Sequence, residues 1–280
     1  MSKLHKFAAV MVLFLYLIGC GGGSGGGGGD DEDGVNFPTP TLPAGAAKID
    51  ATNAEDIANS ALEFTGILLG FAAKTEGPPS IPQVIKLLTD QVNKRNRNLR
   101  SGTAGKTEDI SALFCVTGTA TDTFTESANS LSGQIAFSDC GIGGGIVLNG
   151  TFPYEGNWND VTLDYNFHFG GSLIFSAGAD TITVVLNFTE SGNNGTGDFS
   201  LAPSFSLDGI PGGGYLVTTV LPLLGNFFSA EFTSGELNVL GADNTQLCMP
   251  VTAINTITVE FDNGLGGGCM PLAPPLDIPI

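Results

Sequence analysis

The sequence predicts a mainly β fold: an antiparallel meander sheet or partly closed barrel of about ten strands, packed on two N-terminal helices. Three observations predict it. Beyond Ile110, apolar and polar residues alternate at period two, the mark of strands with one dry and one wet face. Turn signals (Gly156-Asn157, Gly170-Gly171, Gly192-Asn193-Asn194-Gly195, Pro211-Gly212-Gly213, Asn263-Gly264) cut that region into short, sequentially adjacent segments. Upstream, the apolar spacing is four and three, which lines up one side of a helix.

The first helix is expected over residues 52 to 73. Thr52 and Glu55 have the spacing of a capping box, and Ile57, Ala61, Phe64, Leu68 and Phe71 share a face. Gly77-Pro78-Pro79 breaks the chain, and a second helix is expected from Pro82 to Asn98 with Ile85, Leu88 and Val92 apolar. Lys94, Arg95 and Arg97 near its end suit the negative pole of the helix dipole. In the β region, Val161, Leu163, Tyr165, Phe167 and Phe169 are expected to point one way, and Thr162, Asp164, Asn166 and His168 the other. Ile182, Val184, Leu186 and Phe188 form a second such run, and Ile257, Val259 and Phe261 a third. A helix stripe and a sheet face each need a cover, so the helices are expected to lie on the sheet.

Charge is divided unevenly. All ten Lys and Arg lie at or before Lys106, whereas the 174 residues from Thr107 to Ile280 hold 18 of the 28 Asp and Glu. That segment therefore accounts for the whole net charge of −18. A domain without Lys or Arg cannot neutralise phosphates, which excludes nucleic acid as a partner. Anionic headgroups would repel it as well.

The N-terminus carries the strongest motif. Lys3 and Lys6 precede the apolar run Phe7 to Ile18, too short for a membrane-spanning helix of about 20 residues and suited to an export signal. The run ends in Leu17-Ile18-Gly19-Cys20, which resembles the lipobox of bacterial lipoproteins. The resemblance implies cleavage before Cys20 and acylation of Cys20 by a diacylglyceryl thioether and an amide-linked chain such as palmitate. Two or more chains anchor stably, at about 0.8 kcal/mol per buried methylene. Gly21 rather than Asp after the Cys implies the outer membrane, at its periplasmic face or the cell surface. Behind the anchor come a Gly run and Asp30-Asp31-Glu32-Asp33, then Pro38, Pro40 and Pro43. This composition predicts a disordered tether, about 30 Å in r.m.s. span from Cys20 to Lys48. The expected organisation is a signal peptide at 1–19, a tether at 20–47, a two-helix segment at 48–106 and an acidic β-domain at 107–280.

Export gives meaning to the other cysteines, Cys115, Cys140, Cys248 and Cys269, whose even number predicts two disulfides. Pairing strands 112–125 and 131–138 about a turn near Ser127-Ala128 sets Cys115 opposite Cys140, leaving Cys248 for Cys269. The pattern Ser234-Gly235-Glu236-Leu237-Asn238-Val239-Leu240-Gly241-Ala242, with the hairpin ending in Asp262-Asn263-Gly264, resembles the C-terminal part of β-rich envelope proteins of proteobacteria. Asn53-Ala54-Glu55-Asp56-Ile57-Ala58 is similar to their first helix. No established activity comes with that resemblance.

Candidate chemistry is sparse. His168 is the one histidine after the signal, which leaves a Ser-His-Asp arrangement or a transition-metal site with a single imidazole on a polar face. The acids are scattered without a distinguishable pair for glycoside hydrolysis. Trp158, in Gly156-Asn157-Trp158-Asn159-Asp160, is expected in a turn, as a contact for sugar or protein. Calcium is the most reasonable ion, with Asp243 and Asp262, and also Asp198 and Asp208, in Gly-rich turns that bring oxygens together. The functional expectation is a non-catalytic binding or structural protein of the envelope, with a protein, glycan or lipid ligand. The alternative is a carrier holding a hydrophobic molecule in a cavity lined by Phe167, Phe188 and Phe205, and a third is a membrane-inserted barrel, against which tether, disulfides and helices argue.

Overall fold

In a computed structural model, residues 35–68, 84, 87, 88, 91, 92 and 103–279 are described. Helix α1 is Ala54–Leu68 and α2 is the single turn Ser111–Phe114. The strands are β1 (Thr103–Asp109), β2 (Thr117–Glu126), β3 (Ser130–Gly143), β4 (Ile146–Trp158), β5 (Asp164–Ala177) and β6 (Asp180–Asn193). They continue as β7 (Asp198–Asp208), β8 (Tyr215–Asn226), β9 (Glu231–Leu240), β10 (Gln246–Ala253), β11 (Thr256–Asp262) and β12 (Met270–Pro279).

All twelve strands form one sheet in chain order, each antiparallel to the next, and β1 does not pair with β12. The meander is thus an open sheet rather than a closed barrel, with two strands more than expected. Short connections explain the order, because hairpin neighbours in sequence pair first.

The period-two pattern sets the two faces. On β5, Tyr165, Phe167, Phe169, Leu173 and Phe175 are all buried, and on β6 so are Val184, Leu186 and Phe188. Val161 and Leu163 correct the expected run. Val161 is 84% exposed and Leu163 has φ 63°, so β5 begins only at Asp164 and the apolar alternation upstream of it belongs to a turn. The inner face is covered in part by α1. The Phe64 and Phe205 rings stack at 4.4 Å, and Ser60 and the Tyr215 hydroxyl share a hydrogen bond of 2.8 Å. Burial pushes the Tyr215 hydroxyl up to about 12, so it stays protonated there.

Helix α1 starts two residues later than expected and without the capping box. The Asp50 carboxylate accepts the Thr52 N–H at 2.7 Å, and Asn53 Oδ1 accepts the Asp50 N–H at 2.9 Å. An Asx turn at Asp50 therefore opens the helix, and it lowers the Asp50 pKa through the Thr52 hydrogen bonds. Of the second expected helix, residues 84, 87, 88, 91 and 92 are helical, with Val84, Leu88 and Val92 buried; its other residues lie outside the described ones. The expected two-helix segment also gives way to strand sooner than residue 106, because β1 begins at Thr103.

Both disulfides are present, Cys115–Cys140 and Cys248–Cys269, with Cα separations of 5.0 and 6.1 Å. The register behind the first differs from the expectation. Thr121 faces Ala136 and Glu126 faces Leu131, two positions away from the alignment that would set Cys115 directly across from Cys140. Cys115 instead follows α2 and folds back over the ladder, where the Val116 N–H donates to the Gly141 carbonyl at 2.7 Å.

Loops at one end of the sheet repeat a motif. Asn159-x-x-Thr162-x-Asp164, Asn193-x-x-Thr196-x-Asp198 and Asn226-x-x-Ser229-x-Glu231 occupy three successive connections. In each, the Asn Oδ1 accepts two N–H groups of its own loop: Val161 and Thr162 for Asn159, Gly195 and Thr196 for Asn193, Phe228 and Ser229 for Asn226. The amide nitrogen then reaches the previous loop. Asn193 donates to the Thr162 carbonyl (2.8 Å) and to Asp164 (2.6 Å), and Asn226 to the Thr196 carbonyl (2.9 Å) and to Asp198 (2.8 Å). Hydrogen bonds from Thr162 and Asn193 lower the Asp164 pKa, and those from Asn226 and Thr196 lower that of Asp198.

Candidate functional site: the outer face and its strap

Residues 35–47 correct the tether expectation. Their Gly and Pro content reads as unstructured, yet they form a strap against the outer face of the sheet. Phe37 stacks on the His168 ring at 3.5 Å between centroids. Gly170 permits this, since a Cβ there would meet the Phe37 ring at 2.9 Å. Asn187 donates to the Pro38 carbonyl at 3.1 Å. Farther on, Ala46 bridges Gly214, and the Ala47 N–H donates to the Gly214 carbonyl at 2.7 Å. The chain then crosses the end of the sheet, where the Ile49 N–H donates to Thr245 Oγ1 at 3.0 Å, and enters the inner face as α1. The strap therefore begins outside and ends inside.

His168 is accordingly not a free surface imidazole. Nε2 shares a hydrogen bond of 2.8 Å with Asn187 Oδ1, Nδ1 lies 3.5 Å from Glu155 Oε1, and one ring face is covered by Phe37. Both nitrogens are engaged by neighbouring strands, and one ring face is covered by the strap. Beside it, a groove of about 320 Å³ is lined by Ser130, Ser132, Glu155, Asn157, Asn166 and His168. A second, more open groove of about 430 Å³ lies near the repeat loops, lined among others by Asp164, Tyr165, Asn193, Asp198 and Phe199. Neither is bordered by Phe167, Phe188 or Phe205. The Phe167, Phe169 and Phe188 rings pack face to face in sequence, at 5.7 and 5.0 Å.

Trp158 sits at the last position of β4 rather than in a turn. It faces Tyr165, packs half-buried against the core, and its backbone N–H and C=O are both bonded to Asn129. The Asp243 and Asp262 loops meet at one end, where a Cβ on Gly264 would touch the Asp243 carbonyl. Their carboxylates already have partners: Asp243 pairs with Lys48 at 3.2 Å, and Asp262 accepts the Gly264 N–H at 2.9 Å. Asp198 and Asp208 likewise accept hydrogen bonds within their own turns. Among the described residues, no group of three or more His, Cys, Asp or Glu is placed to hold a metal ion.

Sequence reasoning missed two inward acids: Asp122 on β2, fully buried, whose Oδ1 accepts the Tyr154 hydroxyl at 2.8 Å, and the half-buried Glu190. Glu190 lies on the inner side of β6, where Tyr165 donates to its Oε1 at 3.1 Å. Burial pushes the carboxyl up to about 7. The signal was present, since Glu190 continues the period-two run from Val184 through Phe188. Cys20 lies outside the described residues, and no helix among the described residues is long and apolar enough to cross a membrane. No protein-family model, no curated protein and no solved structure matches the chain.

Proposed function

We propose that this chain is a lipoprotein of the bacterial cell envelope, held at the outer membrane by acyl chains on Cys20, with a non-catalytic binding or structural role. The observation that carries the reading is Leu17-Ile18-Gly19-Cys20 directly after a short apolar run with two lysines before it. The two disulfides support it, because such bonds persist in oxidising compartments outside the cytoplasm. The non-catalytic part is supported by His168, whose ring nitrogens face Asn187 and Glu155 and whose ring is covered by Phe37.

The test is mass spectrometry of the N-terminal peptide from protein made in a bacterial host, beside a Cys20→Ala variant. The expected result is a mature chain starting at an acylated Cys20 that partitions into detergent, and an unprocessed, unacylated variant. Equal processing and equal partitioning of both would overturn the reading.

A further inference from the structure

We propose that two copies of this chain join edge to edge through β1, antiparallel, about a two-fold axis at Thr107. The proposal goes beyond the anchor and does not depend on it. The sheet is open, and β1 is one of its two edges. Residues 105–109 of that edge are all exposed, and no described strand pairs with their outer side. An edge of this kind presents a row of N–H and C=O groups ready to pair.

Register parity fixes which groups are offered. The Ile110 N–H donates to the Ala120 carbonyl at 2.9 Å, and Lys106–Phe124 and Glu108–Asp122 belong to the same register. Lys106 and Glu108 therefore turn their main-chain groups toward β2, whereas Thr107 and Asp109 turn theirs to the open side. A second β1 must set outward groups against outward groups, which restricts the two-fold centre to Lys106, Thr107 or Glu108.

Charge decides among the three. A centre at Lys106 places two ammonium groups opposite one another, and a centre at Glu108 two carboxylates. A centre at Thr107 sets Lys106 of each copy directly opposite Glu108 of the other, twice, while the two Thr107 main chains exchange hydrogen bonds. Opposite charges facing across strands are favourable and like charges are not. Glu108 already interacts within its own chain, and a carboxylate accepts more than one donor. The other edge of the sheet has a different character. Strand β12 carries Pro271, Pro274, Pro275 and Pro279, which cannot donate and which blunt an edge. Pairing through β1 thus leaves two proline-bearing edges outermost, and the assembly closes at two copies.

The test is cross-linking of the full chain. In Thr107→Cys the two new cysteines sit about 5.5 Å apart between Cα atoms, within disulfide reach. In Asp109→Cys they sit about 14 Å apart, four residues along the strand, and out of reach. After mild oxidation, a non-reducing gel is expected to show T107C mostly as a dimer and D109C no more dimeric than the unmodified chain. On the T107C background, Lys106→Glu or Glu108→Lys alone is expected to lower the dimer yield roughly ten-fold, and the two together to restore it. Recovery in the double variant excludes misfolding as the cause of the single losses. Equal yields for T107C and D109C, or no recovery in the charge-swapped pair, would overturn the proposal.

Discussion

Replacing Glu190 with Gln is expected to flatten the dependence of stability on pH. The side chain faces the inner side of β6, and burial lifts its carboxyl from the ordinary 4.5 to about 7. Its folded-state value is thus the higher one, so the folded chain keeps a proton that the unfolded chain has released. Stability from the neutral acid is fully present below pH ~4.5 and is lost as pH rises through about 7. That gap, at ~1.4 kcal/mol per pH unit, corresponds to about 3 kcal/mol. Partial solvent access to the side chain brings it nearer 2. Glutamine is neutral throughout and retains an acceptor for the Tyr165 hydroxyl. Urea melts of both proteins at pH 4, 6 and 8 and constant ionic strength measure the effect. The variant should match the parent at pH 4 and exceed it by about 2 kcal/mol at pH 8. A difference that is the same at both ends of the range would show that Glu190 is ionised in the fold, and the burial argument would fail.

Asn193→Asp removes the two donors that reach the Thr162 carbonyl and Asp164 and sets a second carboxylate against Asp164. It should lower the melting temperature more at pH 7, where both carboxylates are charged, than at pH 3, where protonation of one member of the pair relieves the repulsion, as differential scanning calorimetry would record. Removing the Cys115–Cys140 bridge by a double Ala substitution frees a loop of 25 residues and should cost about 3 kcal/mol in denaturant melts. A loss near zero would mean that α2 and the β2–β3 ladder hold that corner unaided.

The sheet was legible because a period of two needs only a dry face and a wet one, and Tyr165, Phe167 and Phe169 follow it strictly. The same rule misled at Val161 and Leu163, where alternation continues by chance into a turn and nothing local marks the strand start except Asp164. The Asn-x-x-Thr-x-Asp recurrence stood in the sequence at intervals of 34 and 33 residues, but its meaning lies in hydrogen bonds between loops, which only the sheet order brings together. Proline and glycine around Phe37 describe a chain without secondary structure. They do not say whether that chain lies on something, and the cover it supplies became visible only with Gly170 and His168 beneath it. Glu190 was hidden for a related reason, since a lone acid in an apolar run reads as a strand end until the Tyr165 hydroxyl is seen reaching it diagonally from β5.

The route of the strap governs where mechanical load would fall. A pull on the N-terminal end of the chain meets the Phe37–His168 stack and the Ala47–Gly214 hydrogen bond before any strain reaches α1. Those contacts, with the Asn187–Pro38 hydrogen bond between them, lie on β5, on β6 and just before β8, so the force is shared sideways by the middle of the sheet rather than unzipping one edge. Tension of that kind would be borne in shear, and the helix beneath would stay seated until the strap had slipped.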